Sequence, residues 1–265
     1  MSSQNGWRNQ MQKNLSQPIV RGRNAKDVVY YSQPSSSSSS SSLSQNSSLD
    51  DATSKENDQL VNSLIRYLLT LDEGKQIISK ARIIKNVFGN RGKHFAQTMN
   101  KAKNLLSMVF GYQLIELESG KYMLVNEIEN TLPHIEPSAT ESSQMILLFL
   151  VLTHIFMLED CCSEESLWSF LTNLGIPCED DQQHSYFGNV KQLITEIFVA
   201  QGYLNKIVLE TNDSTNVEYK WGYRAEYEFS RRTALEFVSQ VYDGRPINSW
   251  QLQYKTLIAR EAADK

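Results

Sequence analysis

Between Gly74 and Ile115 the sequence holds eight cationic side chains, Lys75, Lys80, Arg82, Lys85, Arg91, Lys93, Lys101 and Lys103, and no Asp or Glu. The whole chain carries a formal net charge of -4, so this stretch departs from its own background. Lysine and arginine neutralise phosphates and release counterions, giving affinity that falls with salt and carries little base preference. These eight residues are therefore the candidate contact to a nucleic-acid backbone. The alternative is a solvated surface whose charge is balanced by acids elsewhere, such as Glu179, Asp180 and Asp181. A second basic set, Lys191, Lys206, Lys220, Arg224, Arg231 and Arg232, is interleaved with Glu196, Glu210, Glu218, Glu226 and Glu228 and reads as surface ion pairs, except for Arg224, which reads as structural. The short patch Arg21-Gly22-Arg23-Asn24-Ala25-Lys26 is either an import or DNA-touching arm or an ordinary solvated tail.

Catalytic and metal chemistry find little footing. The Gly-x-x-x-x-Gly-Lys-Ser/Thr, His-Glu-x-x-His and Gly-x-Ser-x-Gly patterns are missing, and His94, His134, His154 and His184 have no evident nucleophile partner. Cys161, Cys162, Cys178 and His184 form the one cluster worth testing for metal, but adjacent cysteines do not match a Cys-x-x-Cys knuckle. No catalytic residue, metal, cofactor or small-molecule substrate is expected. Three cysteines leave at least one thiol free, which suits a reducing compartment. Met1 to Pro18 lacks the apolar core of a signal peptide, so sequons such as Asn46-Ser47-Ser48 are expected to stay unglycosylated. Met145 to Leu158 is shorter than the ~20 residues of a membrane span and reads as a buried core helix, with no membrane partner.

The elements that must position these groups fall into four regions. Residues 1–57, rich in Ser, Gln and Asn with an unbroken tract from Ser35 to Ser42, have little to bury and read as a disordered tail. Residues 58–130 begin with an amphipathic helix in which Leu60, Val61, Leu64, Ile65, Leu68 and Leu71 share one stripe, while Leu69 falls off its centre. A short strand at Gln76 to Ile78 follows, with Ser79 as N-cap of a brief helix ending near Gly89. A third helix runs from Lys93 to Phe110 and turns Phe95, Met99, Ala102, Leu106 and Val109 inward. A hairpin around Glu118-Ser119-Gly120 completes the unit. Helix, strand, helix, helix, hairpin is the winged-helix order.

Residues 138–245 repeat it after a connector marked by Pro133 and Pro137. Ser138-Ala139-Thr140-Glu141 forms a capping box before the apolar helix, and helices follow at Ser163 to Leu174 and Asn189 to Gln201. Strands at Leu204 to Leu209 and Val217 to Trp221 flank a turn at Thr211 to Asn216, and one helix spans Tyr227 to Tyr242. Residues 246–265 form a final amphipathic segment. The fold class expected is mostly α with small β-hairpins (α+β): two tandem winged-helix units behind a disordered tail.

Several stretches then resemble a known family in the order they occur: Leu64-Ile65-Arg66-Tyr67-Leu68-Leu69, Val109-Phe110-Gly111, Tyr122-Met123-Leu124-Val125-Asn126, Glu164-Glu165-Ser166-Leu167-Trp168 with Gly175, Gly202-Tyr203-Leu204, and Trp221-Gly222-Tyr223-Arg224-Ala225. Together they look like the signatures of the melanoma-antigen (MAGE) homology domain over residues 58–243. The chain departs from the family at Tyr223, where proline is usual, and at Glu159-Asp160, where Gly-Asn is frequent.

The resemblance implies a non-catalytic adaptor in the nucleus that binds a RING-type ubiquitin ligase and a kleisin, and contacts duplex DNA within a DNA-repair SMC complex. It also implies that Leu68 and Leu69 meet the ligase, with helical geometry making Leu69 the exposed half. For the kleisin, the all-round apolar run Met145 to Phe156 offers surface that must be covered by its own domain or by a partner. Two other readings stay open: a ligase adaptor without DNA contact, and a tandem winged-helix transcription factor.

Overall fold

The computed structural model describes residues 47–118, 120–127, 138–177, 179, 183–211 and 214–263. Residues 1–46 of the tail expected over residues 1–57, with its basic patch, the connector prolines Pro133 and Pro137, and Cys178 lie outside the described residues, and residues 47–57 of that tail are helical.

Helix α1 spans Ser47–Asp72 and so begins before Asp58, where the apolar periodicity starts. Leu60, Val61, Leu64, Ile65 and Leu68 are buried as the stripe requires. Strand β1, Ile78–Ser79, leads into α2, Lys80–Ile83, and the Ser79 side chain accepts a hydrogen bond from the Arg82 N–H at 3.3 Å. A π-helical turn, Ile84–Phe88, and a 3₁₀ turn, Gly89–His94, precede α3, Phe95–Leu105. A second π turn, Leu106–Phe110, extends α3 to Gly111, which ends it in the left-handed conformation. The hairpin β2, Tyr112–Leu117, and β3, Lys121–Asn126, pairs antiparallel, and β1 joins the far side of β3 with Ser79 opposite Lys121.

The second unit repeats this order. Helix α4, Ala139–Met157, opens with the expected capping box of Ser138 and Glu141. A two-residue strand, β4, Cys162–Ser163, was not anticipated; it parallels β1 in role, ending in a serine that caps the next helix, α5, Glu164–Asn173. The third helix consists of α6, Val190–Gln192, a π turn, Leu193–Ile197, and α7, Phe198–Ala200. Strands β5, Leu204–Thr211, and β6, Ser214–Trp221, pair down to Thr211 opposite Ser214, so the ladder extends through much of the polar segment read as a turn. Tyr227 to Tyr242 is not one helix. Helix α8, Tyr223–Glu228, stops at the extended Phe229, and Ser230 caps α9, Arg231–Val241. Helix α10, Gln251–Ala263, closes the described chain.

Each unit has its own core. Helix α4 is long and apolar enough to cross a membrane, yet Leu147, Leu148, Phe149, Val151, Leu152, Ile155 and Phe156 are all buried in the second core. Its own unit covers most of the apolar run, while Met145, Leu150, His154 and Met157 stay half-buried and Leu158 is exposed. Strand β3 is buried on both faces: Tyr122 and Leu124 enter the first core, while Met123 and Val125 join Leu117 in a separate cluster with Ile77 and Ile115. That cluster lies toward the second unit, because a Cβ on Gly202 would come within 2.5 Å of the Ile77 Cδ1.

Candidate nucleic-acid face and partner interfaces

The structure divides the eight expected phosphate-binding cations. Arg91 pairs with Glu56 at 3.1 Å and Lys101 with Asp58 at 3.6 Å, both acids lying on α1. Lys75, at a positive φ of 53°, reaches Asp72 at 3.5 Å. Lys80 lies over the Phe95 ring at 4.9 Å, and Arg82 donates to the Gln76 side chain at 3.1 Å. Lys80, Arg82, Lys85, Lys93 and Lys103 are exposed and pair with no acid among the described residues.

Helical geometry separates two of the eight further. At roughly 100° per residue, Lys101 and Lys103 stand about 200° apart on α3 and flank its buried stripe from opposite sides. The outward row between them is Gln97, Asn100 and Asn104, all exposed and uncharged. The set is thus not one continuous cationic face. A ninth cation, Lys121, lies outside the acid-free window but is exposed and stands opposite Ser79 in the ladder, beside Lys80. Only the strand pairing reveals it.

Leu68 is 0% exposed and belongs to the first core, so it cannot reach a partner without unfolding its surroundings. Leu69 is half-buried against the same core and presents only its outer part. Of the pair, Leu69 alone is placed to be touched.

Reading along the sequence missed the seam between the units. Arg224, read as structural, is 0% exposed and spends its guanidinium across that seam. Its Nε donates to the Gln201 carbonyl at 2.9 Å, one terminal nitrogen to the Leu124 carbonyl at 2.6 Å and to Glu228 at 3.1 Å, and the other to the Lys75 carbonyl at 3.1 Å. Tyr203 donates its hydroxyl to Glu228 at 2.5 Å; burial, then the Glu228 charge, pushes its ionisation far up. Burial likewise raises the Asp72 carboxyl, against the pull of Lys75 and Arg224, and one Asp72 oxygen has no partner.

A second buried cation, Arg231, lies 4.0 Å over the Trp221 ring and binds Asp160 at 3.1 Å as well as both oxygens of Glu226. Arg260 of α10 joins it through Asp160 at 3.1 Å. Among the described residues no three His, Cys, Asp or Glu side chains converge as metal ligands. Cys161 donates to Glu218 at 3.2 Å, and the His184 Nδ1 accepts the backbone N–H groups of Tyr186 and Phe187.

With this geometry in view, residues 64–232 match the family model of the MAGE homology domain. The chain belongs to the MAGE homology domain family. It is 34% identical to the human non-structural maintenance of chromosomes element 3 homolog over 212 residues, 79% of this chain and 69% of the relative. It is 32% identical to human melanoma-associated antigen D2 over 196 residues, 73% of this chain and 32% of that protein. A chain in the solved structure of an "Nse1-Nse3-Nse4 complex" superposes with a TM-score of 0.69 at 33% identity, covering 77% of this chain and 98% of the other.

This MAGE domain makes physical sense of its two departures from the family pattern. Glu159 and Asp160 have φ of 64° and 65°, where Gly and Asn are the comfortable residues. Tyr223 is the first residue of α8, a position that proline fits without loss.

Proposed function

We propose that this MAGE protein is a non-catalytic adaptor subunit of a DNA-repair SMC complex in the nucleus. It binds a RING-type ubiquitin ligase subunit through the α1 side of the first unit and a kleisin through the second unit, and it touches duplex DNA. The observation that carries the adaptor role is the likeness, at 33% identity over 77% of this chain and 98% of the other, to a chain of the Nse1-Nse3-Nse4 assembly. DNA contact rests on the exposed cations Lys80, Arg82, Lys85, Lys93 and Lys103, which pair with no acid among the described residues, with Lys121 beside Lys80. Their affinity is for phosphate, so it carries little sequence preference.

Co-purification of the tagged full chain from nuclear extract tests the adaptor role: a RING protein and a kleisin should accompany it. Salt-dependent duplex binding tests the other half. Reversing Lys80, Arg82 and Lys93 should flatten the salt slope by roughly one for each lost phosphate contact. Reversing the paired Arg91 and Lys101 should leave that slope nearly unchanged.

One observation favours a ligase adaptor without DNA contact: Lys75, Arg91 and Lys101 already have carboxylate partners. An unchanged slope in the first variant selects that reading. The outward amides Gln97, Asn100 and Asn104 are what a base-reading transcription factor would present, and strong preference among duplex sequences would select it.

A further inference from the structure

We infer that the free edge of β5, the outer strand of the second wing, pairs antiparallel with the same edge of a second copy of this chain, with Val208 on the twofold axis. Nothing in this contact draws on the ligase, kleisin or DNA readings.

The second sheet has the order β4-β6-β5, so β5 has a neighbouring strand on one side only. Its ladder with β6 runs without a break from Leu204 opposite Trp221 to Thr211 opposite Ser214. Two residues separate that last pair, so Thr211 exchanges hydrogen bonds with Ser214. The alternation of an antiparallel ladder carries the same role back to Leu209, Ile207 and Asn205. The Gly222 N–H, bonded to the Tyr203 carbonyl at 2.8 Å, continues this odd-numbered series. Lys206, Val208 and Glu210 therefore turn their N–H and C=O groups away from β6, and no backbone group among the described residues meets them. Edge strands are usually blunted by a proline, a bulge or several lysines. Strand β5 has no proline and no bulge, and its one lysine is offset by Glu210. On this open edge Val208 and Leu209 are 50% and 43% exposed.

The order Lys206-Ile207-Val208-Leu209-Glu210 complements itself when reversed. With Val208 opposite its own copy, Lys206 of each chain faces Glu210 of the other, and Ile207 faces Leu209. This register also sets the outward backbone groups of Lys206, Val208 and Glu210 against one another. Slipping it by one residue opposes outward groups to inward ones, and slipping it by two parts both charges from their partners. Within its own chain neither charge is answered. Lys206 stands opposite Tyr219 and Glu210 opposite Thr215, and neither has an ion pair among the described residues. At 3.3 Å per residue the two are about 13 Å apart along the strand, too far to meet each other. A phosphate backbone finds one cation here with one acid beside it, which gives no net attraction. An unrelated strand would have to bring both charges and both apolar residues in mirrored order. The outer strand of the first sheet, β2, carries Glu116 and no cation, so a copy of itself brings it no such complement.

Sedimentation equilibrium of the full chain over a range of concentrations tests the contact. Wild type should pass from monomer to dimer below about 1 mM. Lys206→Glu and Glu210→Lys should each weaken dimerisation about tenfold or more, because each sets like charges opposite one another at both ends of the pair. An equimolar mixture of these two variants should dimerise like wild type, since the acids of one copy then meet the lysines of the other. Val208→Pro deletes an outward N–H and no bond to β6, so it should leave a monomer. A wild type that stays monomeric up to that concentration overturns the assignment, and loss of a kleisin-type subunit by Val208→Pro would then show that the edge takes another protein's strand. A dimer indifferent to the single charge reversals, or one that the mixture fails to restore, overturns it as well.

Discussion

Glu159 and Asp160 follow α4 with consecutive left-handed backbones, but only Asp160 is repaid, through Arg231 and Arg260. The exposed Glu159 bears the strain without a described ion pair. Glu159→Gly should therefore stabilise the protein by about 1 kcal/mol, read as a higher urea midpoint at unchanged m-value. Asp72 is held in the opposite difficulty: it is 7% exposed, its carboxyl is raised above the ordinary 3.8, and one oxygen is orphaned. A raised acid favours the folded state fully below its unfolded pKa, and this contribution is lost as pH rises through the folded value. Asp72→Asn should accordingly be more stable than wild type at pH about 7, with the advantage vanishing as pH falls toward 3.8. Denaturant titrations of both proteins at the two pH values check it, and a wild-type advantage at neutral pH would contradict it.

At the scale of elements, close backbone approach decides. A Cβ on Gly222 would stand 2.3 Å from the Gly202 carbonyl oxygen, although the Gly222 φ of -87° is open to any residue. Gly222→Ala should cost about 2 kcal/mol in thermal or denaturant unfolding through crowding alone, since no conformational freedom is at stake. What was legible along the chain was local chemistry: Ser79 and Ser138 as caps, the α1 stripe, and the apolar α4 all appear where residue types placed them. What escaped was an insertion or a distant pairing. A π turn leaves the preceding periodicity intact, so Val109 reads as inward although it is 66% exposed. Strand β4 is two residues long and exists only because β6 lies beside it. Ser230 is hidden as a cap because the apolar pattern continues across it, while the Phe229 ring at the break meets Phe149 and Tyr203 from elsewhere in the fold.

The same distinction governs the whole molecule. The acid-free window is a correct statement about composition, but Glu56 and Asp58, which neutralise two of its members, come from the helix before it. The two units were legible as a repeat of element order; their seam was not, since Arg224 reaches partners as far back as Lys75 and Leu124. Arg224→Met removes four donated hydrogen bonds and leaves Glu228 half-buried without its cation. Wild type should melt in one calorimetric transition, and the variant should lose roughly 3 kcal/mol and separate into two. A single transition in the variant would show that the apolar cluster around Met123 holds the units together unaided.

Strand β3 gives this arrangement a mechanical side. Its odd and even residues serve different cores, and its Leu124 carbonyl receives the guanidinium of the other unit. A load that pulls the two halves apart would fall on this strand, shared with Ile77 and the Lys75 carbonyl. Tilting the first wing against the second half would therefore have to break the Leu124 contact and open the Met123 cluster.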